Sequence, residues 1–164
     1  MPKNFFSLKT IEWRNGEVRL IDQQLIPKKL SYIRCRSYLE IVNAIKNMNV
    51  RGAPAIGVAA AMGLALAAYY SKAKTSKRLL KDLEKAKKKI EASRPTAINL
   101  FWATERVMNA AKKAGDNKSK IVKTVIEEAK NIAKEDFEVN KRLGKVGSSL
   151  IRDGDVVLTH CKWL

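Results

Sequence analysis

Cysteine and histidine are nearly absent from this chain of 164 residues: Cys35 and Cys161 lie far apart without CxxC spacing, and His160 is the single histidine. That scarcity excludes a disulfide framework and a cysteine–histidine zinc site. Cys35 reads as packing, and His160 reads as a structural or supporting residue more than as a direct acid–base group. No basic region followed by an apolar run and a small-residue cleavage site opens the chain, so no secretory signal is read and a reducing cytoplasm is expected. The longest apolar stretch, Pro54 to Tyr70, is short for a membrane span and crowded with Ala and Gly. It reads as a buried core helix, and no membrane partner is expected. Internal repeats, low-complexity tracts and nucleic-acid-binding motifs are also missing.

Acidic residues are scarce relative to basic ones, 16 against 33, which leaves a formal charge of +17. Such a field attracts nucleic acid nonspecifically, as well as acidic proteins and anionic substrates. Much of the excess lies between Lys72 and Lys89, on a helix whose apolar stripe is Leu79, Leu80, Leu83, Ala86 and Ile90. Most of those lysines then face water, and a solvated face is the simpler reading. Hydrophobic residues make up 46% of the chain and charged residues 30%, which suits a globular domain with a real core.

The pattern along the chain predicts an α+β, mainly α fold. Ile11–Arg14 and Glu17–Leu20 flank Asn15-Gly16, a strong two-residue hairpin signal, and Lys28–Arg34 offers a third strand. Helical spacing follows from Ser37, through Tyr38, Ile41, Val42, Ile45 and Met48. Ser93-Arg94-Pro95-Thr96 should end the basic helix, with Thr96 as cap of the next, over Asn99–Ala114 with Phe101, Trp102, Val107, Met108 and Ala111 as apolar members. A long helix is expected from about Lys118 to Arg142, loosening at Gly144 and Gly147. Asp155–Thr159 reads as a buried parallel strand with His160-Cys161 at its C-terminal end. The expected divisions are a small β-element over 1–34, a helical bundle over 35–152 and the start of a further domain over 153–164.

The segment Arg51-Gly52-Ala53-Pro54-Ala55-Ile56-Gly57 carries the clearest functional signal. A helix N-terminus offers unpaired N–H groups and about half a positive charge to an anion. Pro54 suits the first turn, Gly52 allows close approach, and Arg51 adds a cation. A small-residue helix packed in a core is the alternative.

Read together, Thr10-Ile11-Glu12-Trp13, the Arg51–Gly57 loop, the run Ser93–Ala103 and Asp153–Cys161 closely resemble the methylthioribose-1-phosphate isomerase branch of the initiation factor 2B-like family. Ribose-1,5-bisphosphate isomerases and regulatory subunits of the initiation-factor exchange complex belong to the same wider family. The resemblance implies an aldose–ketose isomerisation in methionine salvage, with a phosphorylated sugar as substrate and neither metal nor cofactor. It implies substrate binding by Arg51, Gly52, Ala53 and Arg94, and transition-state stabilisation by Cys161. Its proton-donor aspartate would lie in a C-terminal Rossmann-like domain. Where the family continues with Asn-Ala-Gly-Ala-Leu, this chain reads Lys162-Trp163-Leu164. The expectation is therefore an N-terminal fragment, inactive alone, with a separately encoded C-terminal half and a second copy of the chain as candidate partners. A non-catalytic binding or regulatory module is the competing expectation.

Overall fold

The computed structural model describes residues 8–158. A three-stranded antiparallel sheet opens it: β1 (Ile11–Arg14), β2 (Glu17–Ile21) and β3 (Tyr32–Cys35), in that spatial order. Asn15 and Gly16 both adopt positive φ, 45° and 87°, as a tight hairpin of this type requires. The register pairs Ile11 with Leu20 and Trp13 with Val18, then Val18 with Cys35 and Leu20 with Ile33. Alternation turns Ile11, Val18, Leu20 and Cys35 into the core. Gly16 lies against the Tyr69 ring, where a Cβ would collide, and Trp13 meets that ring edge-on at 5.7 Å between centroids.

Five helices follow: α1 (Tyr38–Lys46), α2 (Ala53–Tyr69), α3 (Ser76–Glu91), α4 (Ile98–Lys113) and α5 (Lys118–Ser148). α2 is buried nearly all round and touches every other helix as well as β1 and β2. α3 buries Leu79, Leu83, Ala86 and Ile90 and leaves most of its lysines in water, so the basic run is a solvated face. Lys87 is the exception, half-buried between Glu91 at 3.6 Å and Glu105 at 2.6 Å.

Four expectations are revised. Thr96 does not cap α4: the N-cap is Ala97, which offers no side-chain acceptor. Phe101 and Trp102 stay about two-fifths and half exposed, because the packing face of α4 runs through Leu100, Ala103, Thr104, Val107, Met108 and Ala111. α5 continues unbroken past Gly144 and Gly147 to Ser148, since glycine weakens a helix by only about 1 kcal/mol when its backbone hydrogen bonds can still form. Beyond it, Asp155–Leu158 forms no ladder among the described residues, and Val156 and Leu158 stand exposed. A strand without a neighbour has nothing to pair with.

α5 has two halves with one periodicity. Ile121, Val125, Ala129 and Ile132 are buried, whereas Val139, Leu143 and Val146, on the same face, are half to two-thirds exposed. At the boundary Arg106 of α4 donates from Nε to Glu128 at 2.6 Å and in bidentate fashion to Glu135 at 2.5 and 2.8 Å.

Truncating Ile121 to Ala should lower unfolding free energy by about 2–4 kcal/mol, while Leu143→Ala should change it by no more than about 0.5 kcal/mol, as urea titrations would measure. Carboxylates set the acid response. Hydrogen bonds from Arg106, Lys87 and Arg14 hold Glu135, Glu105 and Glu12 respectively below the ordinary carboxylate range. Because the folded-state values are depressed, their stabilisation is present above the unfolded value and lost as pH falls through the folded one. Desolvation raises Asp136 and works in the opposite sense. The urea midpoint should therefore fall on acidification below about pH 4.5, and Arg106→Gln should flatten that dependence. An unchanged acid slope in Arg106→Gln would contradict the assignment.

Candidate functional site

The site begins with which helix ends are capped. Ser37 caps α1 in a reciprocal box with Glu40, Thr75 caps α3 by accepting from the Arg78 amide, and Asn117 caps α5 by accepting from the Lys120 amide. α2 and α4 have no side-chain cap and no acidic residue in their first turns. Their N-terminal amides keep the partial positive charge that a cap would neutralise.

These two uncapped ends come together. Gly57, one turn into α2, lies so close to the first turn of α4 that a Cβ there would stand 2.9 Å from the Asn99 carbonyl oxygen. The loops that lead into both helices therefore approach the same end of the bundle, one bearing Arg51 and the other Arg94. In α2 the first closed backbone bond runs from the Ile56 N–H to the Gly52 carbonyl at 3.0 Å. Helix geometry leaves the amides of Ala53 and Ala55 without an acceptor one turn back, and Pro54 has no N–H. Gly52, the N-cap, sits at φ 90° and ψ 129°, a conformation that favours glycine.

Both cations are free of carboxylates among the described residues. Arg51 is exposed; its Nε donates to the Met48 carbonyl at 3.3 Å and its Nη2 to the Gln23 carbonyl at 3.3 Å. Two of the five guanidinium N–H groups are thus used on the loop and three remain. Arg94 is half-buried and makes no side-chain hydrogen bond or ion pair among the described residues. By contrast Arg14, Arg34, Arg36, Arg78 and Arg106 each face a carboxylate.

The loop before α2 is built by residues that the sequence pattern gave no reason to single out. Asp22 Oδ1 accepts from Asn49 Nδ2 at 2.9 Å and from the Gln24 amide at 3.1 Å. The Gln23 amide donates to the Asn49 carbonyl at 3.0 Å, its side-chain oxygen accepts from the Arg51 amide at 2.5 Å, and Gln24 Nε2 donates to the Asn47 carbonyl. The turn between β2 and β3 thereby holds the turn between α1 and α2. Sequence separation of more than twenty residues hides such a pairing from any local pattern.

Arg51, Gly52 and Ala53 therefore lie at the start of α2, and Arg94 lies in the loop that leads into α4. Cys161, together with His160, lies outside the described residues. Cys35 is fully buried at the end of β3, with its thiol pushed up to about 12 chiefly by burial, so it contributes packing and not a nucleophile. Among the described residues no group of three or more His, Cys, Asp or Glu side chains could hold a metal ion, and no helix is long and apolar enough to cross a membrane.

Comparison with known proteins follows the same regions. The model of the Initiation factor 2 subunit family matches residues 49–163. Methylthioribose-1-phosphate isomerase of Thermosipho africanus is 48% identical over 152 residues, covering 93% of this chain and 44% of that protein. The crystal structure of 5-methylthioribose 1-phosphate isomerase from Pyrococcus horikoshii superimposes with a TM-score of 0.87 at 42% identity, over 94% of this chain and 44% of that one. That of translation initiation factor eIF-2B subunit delta from A. fulgidus gives 0.86 at 44% identity, over 95% and 45%. The chain thus spans less than half the length of the relatives it matches.

Gly57→Ala tests the approach of the two helix ends. The Asn99 carbonyl is backbone and cannot rotate away, so the helices must separate at a loss of about 1–3 kcal/mol. A melting temperature equal to that of the unaltered chain would show that α2 and α4 are not in this contact.

Proposed function

The chain belongs to the Initiation factor 2 subunit family, and from that membership we propose that it is the N-terminal part of a sugar-phosphate isomerase that converts 5-methylthioribose 1-phosphate to 5-methylthioribulose 1-phosphate. The observation that carries this reading is the meeting of two uncapped helix N-termini, flanked by Arg51 and Arg94, neither of which has a carboxylate partner among the described residues. A phosphate dianion matches that arrangement in charge, and the guanidinium groups match it in shape. In the proposed complex the substrate phosphate sits on the Ala53 and Ala55 amides, held by Arg51, and Arg94 supplies the second cationic contact.

In this isomerisation the hydrogen of C2 is relocated to C1, the C2 hydroxyl proton is lost, and the ring oxygen gains a proton as the ring opens. The phosphate stays on C1 throughout. The part of this chain's described residues is to bind and orient that phosphate, which fixes C1 for proton transfer by other groups. Cys161 is proposed as the group of this chain that stabilises the transition state, with the proton donor outside it. A reducing cytoplasm suits both thiols.

A second reading has its own support. The initiation-factor subunit structure matches as well as the isomerase structure, with TM-scores of 0.86 and 0.87, and a charge of +17 favours acidic or nucleic-acid partners. Under that reading the chain is a binding module without turnover.

Titration calorimetry with 5-methylthioribose 1-phosphate separates the two. The isomerase reading expects binding, weakened about tenfold or more by Arg51→Gln and by Arg94→Gln, with melting temperatures unchanged. Absence of binding in the unaltered chain, together with nucleic-acid affinity that falls steeply between 50 and 200 mM salt, would favour the module.

A further inference from the structure

We propose that Gln23 is a positioning residue for the anion site, a brace from the β-element that sets the Arg51 segment in its binding geometry. The inference rests on the anion-site reading given above and names a residue that does not itself touch the ligand.

The Arg51 segment has little to hold it from within. Met48 is in the left-handed region at φ 59° and Gly52 at φ 90°, so two backbone reversals lie within five residues. Val50 is buried and anchors the turn from below, its amide donating to the Ala44 carbonyl at 3.3 Å. The Arg51 peptide itself has no backbone acceptor; its N–H goes to the side-chain oxygen of Gln23. The same residue accepts the Arg51 guanidinium on its main-chain carbonyl and donates its own amide to the Asn49 carbonyl. Gln23 thus contacts Arg51 at both backbone and side chain and reaches the residue two positions before it. Asp22 secures the brace through Asn49 Nδ2, and its own amide donates to the Ser31 carbonyl at 2.9 Å, which ties the brace to the start of β3.

Geometry explains why this matters for an anion. The guanidinium bonds to Gln23 and Met48 fix the plane of the group and leave three N–H donors for a ligand. A phosphate then meets a donor set already in place, and little ordering is lost on binding. Without the Gln23 side-chain oxygen the Arg51 peptide loses its acceptor and can rotate, which shifts the base of the side chain and pulls the guanidinium off its two main-chain carbonyls. Affinity should fall while the core is untouched, since Gln23 lies at the rim of the bundle.

The test uses the full chain, with inorganic phosphate and 5-methylthioribose 1-phosphate as probes and amide hydrogen exchange at Arg51 as a readout that needs no ligand. Gln23→Met keeps the length and removes the acceptor; Gln23→Glu keeps an acceptor oxygen at the same place. Gln23→Met should weaken both probes about tenfold and accelerate exchange of the Arg51 amide at least tenfold, at unchanged melting temperature. Gln23→Glu should restore slow exchange. Losses in Gln23→Met and Arg51→Gln should be less than additive in the double variant, because one acts through the other. Equal affinity of Gln23→Met and the unaltered chain overturns the brace alone. Failure of the unaltered chain to bind either probe overturns the anion-site reading, and the brace falls with it.

Discussion

The close approach of α2 to its neighbours is the constraint on which the rest of the structure depends. α2 is almost entirely Ala, Gly and aliphatic residues, and it is surrounded on every side. Small side chains let the other helices come near its backbone, and Gly57 marks the tightest place, against the Asn99 carbonyl. Gly63 does the same work more loosely: a Cβ there would meet the side chains of Ile90 and Ile41, which can give way. The first contact is to backbone and therefore sets position; the second sets packing. Widening the first would move the start of α4, and with it the loop that bears Arg94.

Two consequences follow for electrostatics. Helices that end in solvent at α1, α3 and α5 each carry their own capping side chain, so their exposed amides are satisfied without help. The two that begin side by side carry none. Free amides at a single helix start are ordinary, because water can serve them; two starts side by side sum the fields of their dipoles. The contrast with Arg106, which is paired with both Glu128 and Glu135, shows that this chain can neutralise an arginine where structure is the purpose.

Local pattern made much of this legible. The Asn15-Gly16 hairpin, the buried stretch from Pro54, and the stripes of α3 and of the first half of α5 are consequences of period and turn chemistry, which a sequence displays directly. What it hides is non-local or decided by competition. Asp22, Gln23 and Asn49 matter through hydrogen bonds across more than twenty residues, and no periodicity marks them. Phe101 and Trp102 look like core residues by type, yet the helix buries Leu100, Ala103 and Val107 instead, and size yields to the face that α2 and α5 already occupy. Thr96 has the chemistry of a cap but stands one residue too early. Arg51 was readable because its neighbours are Gly, Pro and a small-residue helix, whereas Arg94 stood out only through its place in a longer motif.

The long helix links the site to an apolar stripe left uncovered among the described residues. Val139, Leu143 and Val146 repeat the four–three spacing that buries Val125, Ala129 and Ile132 on the bundle, so the same face continues after the bundle has ended. A helix with no use for such a face would carry polar residues there, as α3 does on its outer side. Arg106 grips Glu128 and Glu135 where α5 leaves the bundle, and its guanidinium also lies 5.4 Å from the Trp102 ring centre. That grip fixes the direction in which the free half projects. Since α5 runs without a break and packs on both α2 and α4, any surface seated on the stripe is held in register with the two helix starts that flank Arg51 and Arg94. The buried half of α5 and the starts of α2 and α4 thereby belong to one packed bundle.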